Sequence, residues 1–258
     1  MGLDLQKASV SKRLAAFMVD FFIFILLFSL IASLCSLIFG FGSSVEAFFD
    51  IYDRYKEKYE LEDLYTQNYD EYMKLPEEVK QRYKTAEEEF AKSGDAARAN
   101  SLLIEIAIKA FLIVSISILF SFIVTELAVP LFLKNGQTLG KKLFAIGIMR
   151  LDGVKIADFQ LFVRAIVGKC IIETLIPVMF ILLSFFGPLG GLGYLVVALF
   201  VLVQAIMFIV TKNKYGLHDA LAVTVAVDMQ TQMIFNSHEE LIAYKTKLHE
   251  EEVQNSPY

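Results

Sequence analysis

The run LAAFMVDFFIFILLFSLIASLCSLIF, Leu14 to Phe39, carries a single charged side chain, Asp20. A bilayer core of about 30 Å is crossed by roughly 20 consecutive apolar residues in a helix, so this run predicts a membrane span. Lys7, Lys12 and Arg13 precede it, as they would in a secretory signal. A signal's apolar region is only about 7–15 residues long, however, and this run is longer and carries an acid near its start. A retained helix is expected.

Three further runs follow the same logic. One extends from about Ile106 to Leu133, with Lys109 at one end and Glu126 in its second half. Another extends from Val163 to Phe186 and contains Lys169, Glu173 and Pro177. The last, Leu192 to Val210, has Gln204 as its most polar member. Gly187-Pro188-Leu189-Gly190-Gly191 separates the last two, too short a link for anything but an antiparallel helical hairpin.

The bulk composition agrees. The chain of 258 residues is 56% apolar with a mean hydropathy of +0.54, above the roughly 45–50% apolar share of soluble domains. It has 23 Phe and no Trp, so Tyr and Phe must supply any aromatic belt. Cys35 and Cys170 sit inside apolar runs and read as small core side chains rather than a disulfide or metal pair.

Charge distribution sets the expected orientation. Phe41 to Ser101 holds 15 acidic and 9 basic residues, whereas Lys134 to Lys169 holds 2 acidic and 7 basic. Basic residues in short loops mark the cytoplasmic side. Lys7, Lys12 and Arg13, then Lys134, Lys141, Lys142, Arg150, Lys155 and Arg164, then Lys212 and Lys214 must therefore share one side. Four spans allow this, with both termini cytoplasmic in a cell membrane.

Residues 44–100 read as an extracytoplasmic helical insertion. Tyr52, Tyr55 and Tyr59, and then Tyr65, Tyr69 and Tyr72, each follow one-face helical spacing. Leu75-Pro76-Glu77-Glu78 looks like a helix start, with acids at the positive end of the dipole. The pair either docks a protein partner or is a solvated hairpin whose tyrosines pack together. On the other side, Leu143–Leu151, the turn Asp152-Gly153 and Val154-Lys155-Ile156 predict a small cytoplasmic β-hairpin, with Val223–Val227 as a third strand. The tail after Asp228 contains an amphipathic stretch, Glu239–Val253. The expected division is thus 1–43 (tail and first span), 44–100 (insertion), 101–228 (three spans with the loop 134–163) and 229–258 (tail). The fold class is an all-α membrane protein, a four-transmembrane-helix bundle.

Ionisable side chains inside hydrocarbon cost about 2.5–3.5 kcal/mol on insertion scales and usually face the bundle interior. Asp20, Glu126 and Glu173 fall at similar depth, with Arg13, Arg164 and Lys169 near them. One buried polar cluster is expected. The acids would bind a monovalent cation, a proton or a small polar ligand and the bases would balance their charge; or the whole set is an ionic lock. Gly136-Gln137-Thr138-Leu139-Gly140-Lys141-Lys142 has phosphate-loop flavour but is one residue short, lacks Ser or Thr after the lysine and follows a span, which excludes nucleotide binding. Its glycines would turn the chain at the membrane surface, with Lys141 and Lys142 meeting anionic lipid head groups. His218 and Asp219 read as a structural anchor. No nucleophile–base set, metal-ligand spacing or cofactor motif appears, so neither an enzyme nor a nucleic-acid binder is expected.

Three segments together resemble the RDD family of membrane proteins, named for one arginine and two aspartates. They are Arg13 through Asp20, Gly136 through Lys142 followed by Asp152-Gly153, and His218-Asp219-Ala220-Leu221-Ala222-Val223-Thr224. Val223 stands where the family commonly has glycine, and the 44–100 insertion exceeds the usual outer loop. The resemblance implies a bacterial-type membrane protein, with transport of an unidentified ligand, including sodium/proton exchange, as the usual suggestion. The expected function is ion or small-ligand transport by a homo-oligomer; the alternative is a scaffold that recruits a partner through the insertion.

Overall fold

The computed structural model describes residues 6–62, 72–133, 135–187, 189–211 and 216–255. Tyr65, Tyr69, Lys134, Pro188, Lys212 and Lys214 lie outside the described residues. Among the described residues, four helices are long and apolar enough to cross a membrane: α1 (Val10–Phe39), α4 (Asp95–Leu133), α6 (Asp158–Phe186) and α7 (Gly191–Val210). Each covers the run expected of it. α4 and α6 begin earlier than the apolar runs because a helix continues into its polar flank as long as backbone bonds are kept.

The chain packs as two compact units, Met1–Ile31 with Ser115–Tyr258, and Ala32–Val114. In the second unit Gly40, left-handed at φ 61°, ends α1 and starts α2 (Phe41–Tyr59). α3 (Glu77–Lys92) follows Pro76 and opens on Glu77 and Glu78, as the sequence indicated. Ile51, Tyr55 and Ala99 form the core of this unit, with Phe48, Tyr52, Tyr59, Phe90 and Leu102 against it. The first tyrosine set thus shares one buried face. Tyr55 donates to Asp95 at 3.0 Å, and Lys109 reaches Ser44 at 2.7 Å and Glu105 at 2.7 Å. Tyr72 packs edge-on against Tyr83.

In the first unit α4 and α6 depart from α geometry at one place each. Ile123–Ala128 and Val163–Leu175 are wound as π-helix. Ile176 N–H accordingly bonds the Ile171 carbonyl, five residues back. π segments are mostly single-turn bulges and frequent at functional sites. α6 and α7 pack against each other as the short link required.

The small sheet differs from the expected hairpin. β1 (Ile146–Arg150) pairs antiparallel with β2 (Thr224–Asp228), Ile148 opposite Ala226. Asp152-Gly153 does turn the chain, but Lys155 forms only an isolated bridge to Met149, and Val154 bridges to Phe235. The reason is burial. Ile146, Ile148 and Ala226 face one core with Ala8, Ala16, Ile156 and Leu161, while Met149, Val225 and Val227 face another with Leu151 and Ile234. Val225 and Val227 cover a whole strand face, which the short Val154-Lys155-Ile156 segment does not. The remaining elements are α5 (Leu139–Leu143), α8 (Leu217–Ala222) and α9 (His238–Asn255), the last covering the amphipathic tail stretch.

Candidate functional pocket

The first unit contains a cavity of about 650 Å³. One side is apolar: Leu14, Phe17, Phe21 and Phe24 of α1, Phe122 of α4 and Phe208 of α7. The other gathers Arg13, Asp20, Glu126, Arg164, Lys169, Glu173, His218 and Asp219, together with Lys141. All six ionisable residues singled out in the spans, with His218 and Asp219, therefore surround one space.

π winding brings the α6 residues together. At about 100° per residue an α-helix would set Lys169 about 140° and Glu173 about 180° from Arg164. Wider turns bring positions five and nine residues on nearly back into line. Arg164, Lys169 and Glu173 all line the pocket as a result.

Each acid is engaged. Glu126 Oε1 accepts from Lys169 Nζ at 2.6 Å, and Glu126 Oε2 lies 3.6 Å from Lys141 Nζ. Glu173 accepts from His218 N–H at 2.9 Å and meets His218 Nδ1 at 2.8 Å. Asp219 Oδ1 accepts from Arg164 Nε at 2.9 Å, from Arg164 Nη2 at 2.8 Å and from the Thr224 hydroxyl at 3.0 Å. Arg13 lies close enough to feel the charges of both Asp219 and Arg164. Burial alone pushes the Asp219 carboxyl up; Arg164, His218 and Thr224 outweigh this and hold it well below the usual carboxylate range.

Asp20 takes partners that charge matching did not foresee. Its Oδ2 accepts from the Thr138 hydroxyl at 2.5 Å, and its Oδ1 accepts from Gly140 N–H at 2.7 Å. The loop with the phosphate-loop flavour is thus held on α1 by an aspartate. Gly140 is required there: a Cβ would collide with the Ala16 carbonyl and the Asp20 carboxylate. Gly168 plays a similar part opposite α8, where a Cβ would fall 2.7 Å from His218 Cα. A threonine capping α5, two residues ahead of a glycine, was the available sequence signal.

Lys141 also departs from its expected role. Its side chain is 12% exposed and points at Glu126 instead of at lipid head groups, because capping of α5 by Thr138 brings Lys141 Nζ within 3.1 Å of the Thr138 hydroxyl. Burial pushes its ammonium down to about 8, with Lys169 and Arg164 adding to that and Glu126 and Asp20 opposing it. Lys142, its neighbour, is exposed.

No curated protein and no solved structure matches the chain. A family match does exist, and it spans all three motifs through Val223, including the arginine at the head of α1, the aspartate that anchors the glycine loop and the aspartate of α8. Residues 7–223 match the RDD family, and the chain belongs to it.

Proposed function

We propose that this RDD protein transports a small charged ligand and that the pocket beneath Arg13 is its binding site. The observation that carries the reading is the convergence of ionisable side chains from three apolar helices on one cavity. Charges inside a membrane bundle mark ligand or ion pathways more often than packing. The basic flanks of α1, α4 and α6 support placing this end, and both termini, on the cytoplasmic side. Bare cation or proton exchange at Asp20, Glu126 and Glu173 has less support, since all three carboxylates already accept from donors of the protein. Four basic side chains stand beside four carboxylates in the lining, a mixed set that favours a small ligand with polar or charged groups of its own over a bare cation.

The test uses currents from reconstituted protein on a solid-supported membrane. Jumps of sodium chloride, sodium phosphate and sodium octanoate serve as probes. A protein-dependent transient with at least one probe, strongly reduced in Lys169→Gln, is the expected result. Silence with all three in correctly folded protein removes the transport reading.

A further inference from the structure

The chain has five prolines, and two of them, Pro130 and Pro177, fall inside the long apolar helices α4 and α6. Each stands four residues after a glutamate of the pocket, in Glu126-Leu127-Ala128-Val129-Pro130 and Glu173-Thr174-Leu175-Ile176-Pro177. That spacing is the reach of one α-helical hydrogen bond. A proline has no N–H to give, and its ring collides with the carbonyl four residues back. In both helices that carbonyl belongs to the pocket glutamate.

The helices do not stop at these prolines. Val129 and Ile176, the residues just before them, keep right-handed helical angles, with φ of −57° and −58°. The collision is relieved upstream instead. Val129 N–H bonds the Val124 carbonyl, and Ile176 N–H bonds the Ile171 carbonyl, each five residues back. Both π segments end at the same distance from their proline, one at Ala128 and the other at Leu175. Local π winding is a known way for an apolar helix to accommodate proline. Two separate helices have used it at the same offset from a pocket acid.

We propose that Pro130 and Pro177 are positioning residues, which set the wide winding that turns Glu126 and Glu173 into the pocket. This rests on the pocket being the ligand site of the preceding reading and names what aims its acids. The effect is larger in α6, where the π segment is longer. With α winding throughout, Glu173 would lie about 180° from Arg164, whereas Leu175, eleven residues past Arg164, would come within about 20° of it. An N–H at position 177 removes the reason for the wide turn, and Leu175 then replaces Glu173 on the pocket side.

Cysteine labelling of the full chain in liposomes tests it. Cys35→Ala and Cys170→Ala clear the background, and a single thiol is placed by Glu173→Cys or by Leu175→Cys. The probe is a water-soluble trimethylammonium methanethiosulfonate. With Pro177 in place, the thiol at 173 is labelled faster than the thiol at 175. Pro177→Ala reverses that order, and so does Pro177→Leu, which supplies the same N–H. Pro130→Ala slows the labelling of Glu126→Cys. A mere folding defect would speed labelling at every position, so a slower rate reports aim. Equal rates at 173 and 175 overturn the proposal, as does an order that either proline substitution leaves unchanged. The labelling needs no transport. Silence in the current measurement beside a reversed order removes the transport reading and keeps this one; currents beside an unmoved order do the opposite.

Discussion

Arg164 reaches Asp219 with two nitrogens at 2.8 and 2.9 Å, both side chains more than nine-tenths buried, joining α6 to α8. A pair so enclosed contributes little net attraction but is costly to break, because the survivor is left charged and unsatisfied. Asp219→Ala is expected to lower stability by about 3–5 kcal/mol. The double variant Arg164→Met, Asp219→Leu should lose clearly less. Unfolding midpoints in detergent of the two variants decide it; equal losses would mean that the pair acts through more than its charges.

Asp20 holds the glycine loop through two donors, a hydroxyl and a backbone N–H. An asparagine keeps an acceptor for Gly140 and offers its amide to the Thr138 oxygen, so Asp20→Asn should cost about 1 kcal/mol. Asp20→Ala strands the Gly140 N–H and should cost about 1–3 kcal/mol. Gly140→Ala, which forces a methyl group against the Ala16 carbonyl, should also cost about 1–3 kcal/mol. If asparagine proved as damaging as alanine, the charge of Asp20 would matter beyond anchoring.

Val223 ends α8 with φ 55°, a left-handed conformation that a β-branched residue tolerates poorly. A glycine would adopt this conformation without that penalty. Relief of roughly 1–2 kcal/mol of backbone strain predicts that Val223→Gly raises the unfolding midpoint. An unchanged or lower midpoint would show that the half-exposed valine side chain contributes more than its backbone costs.

Lys141 titrates lower in the folded protein, about 8, than its ordinary value of 10.5. Between those values the unfolded chain binds more protons, so this group makes stability rise with pH. Below about 8 both states carry the proton and the slope vanishes. Wild type compared with Lys141→Met from neutral to alkaline pH should show the difference moving in favour of wild type across that window. A flat difference would place the Lys141 ammonium in a more solvated setting.

Span positions were legible because apolar length is a one-dimensional property of the chain. α1 and α7 match within a few residues, whereas the starts of α4 and α6 were missed because polar residues such as Asp95 and Asp158 extend helices as readily as apolar ones. The gathering of Asp20, Glu126 and Glu173 followed from counting residues inward from the basic flanks. Their partners did not. Asp20 meets a hydroxyl and a backbone N–H, groups that carry no formal charge and so escape any search for opposite signs. Lys141 was read as surface because its neighbours Gly140 and Lys142 suggested a loop; a one-turn helix capped by Thr138 aims it inward instead. Strand pairing was legible as a turn and a β-branched run, but which strand won depended on side chains brought from Ala8, Ala16 and Leu161, far apart in sequence.

Winding in α6 sets a limit on what residue swaps alone can reveal. Removing one residue between Arg164 and Lys169 would rotate everything beyond it by roughly a quarter of a turn relative to Arg164, one residue's share of the wide π turn. Glu173 would swing off His218 and Lys169 off Glu126, although every named side chain would still be present. A single-codon deletion is therefore the smallest edit that dismantles the pocket while leaving its chemistry spelled out in the gene.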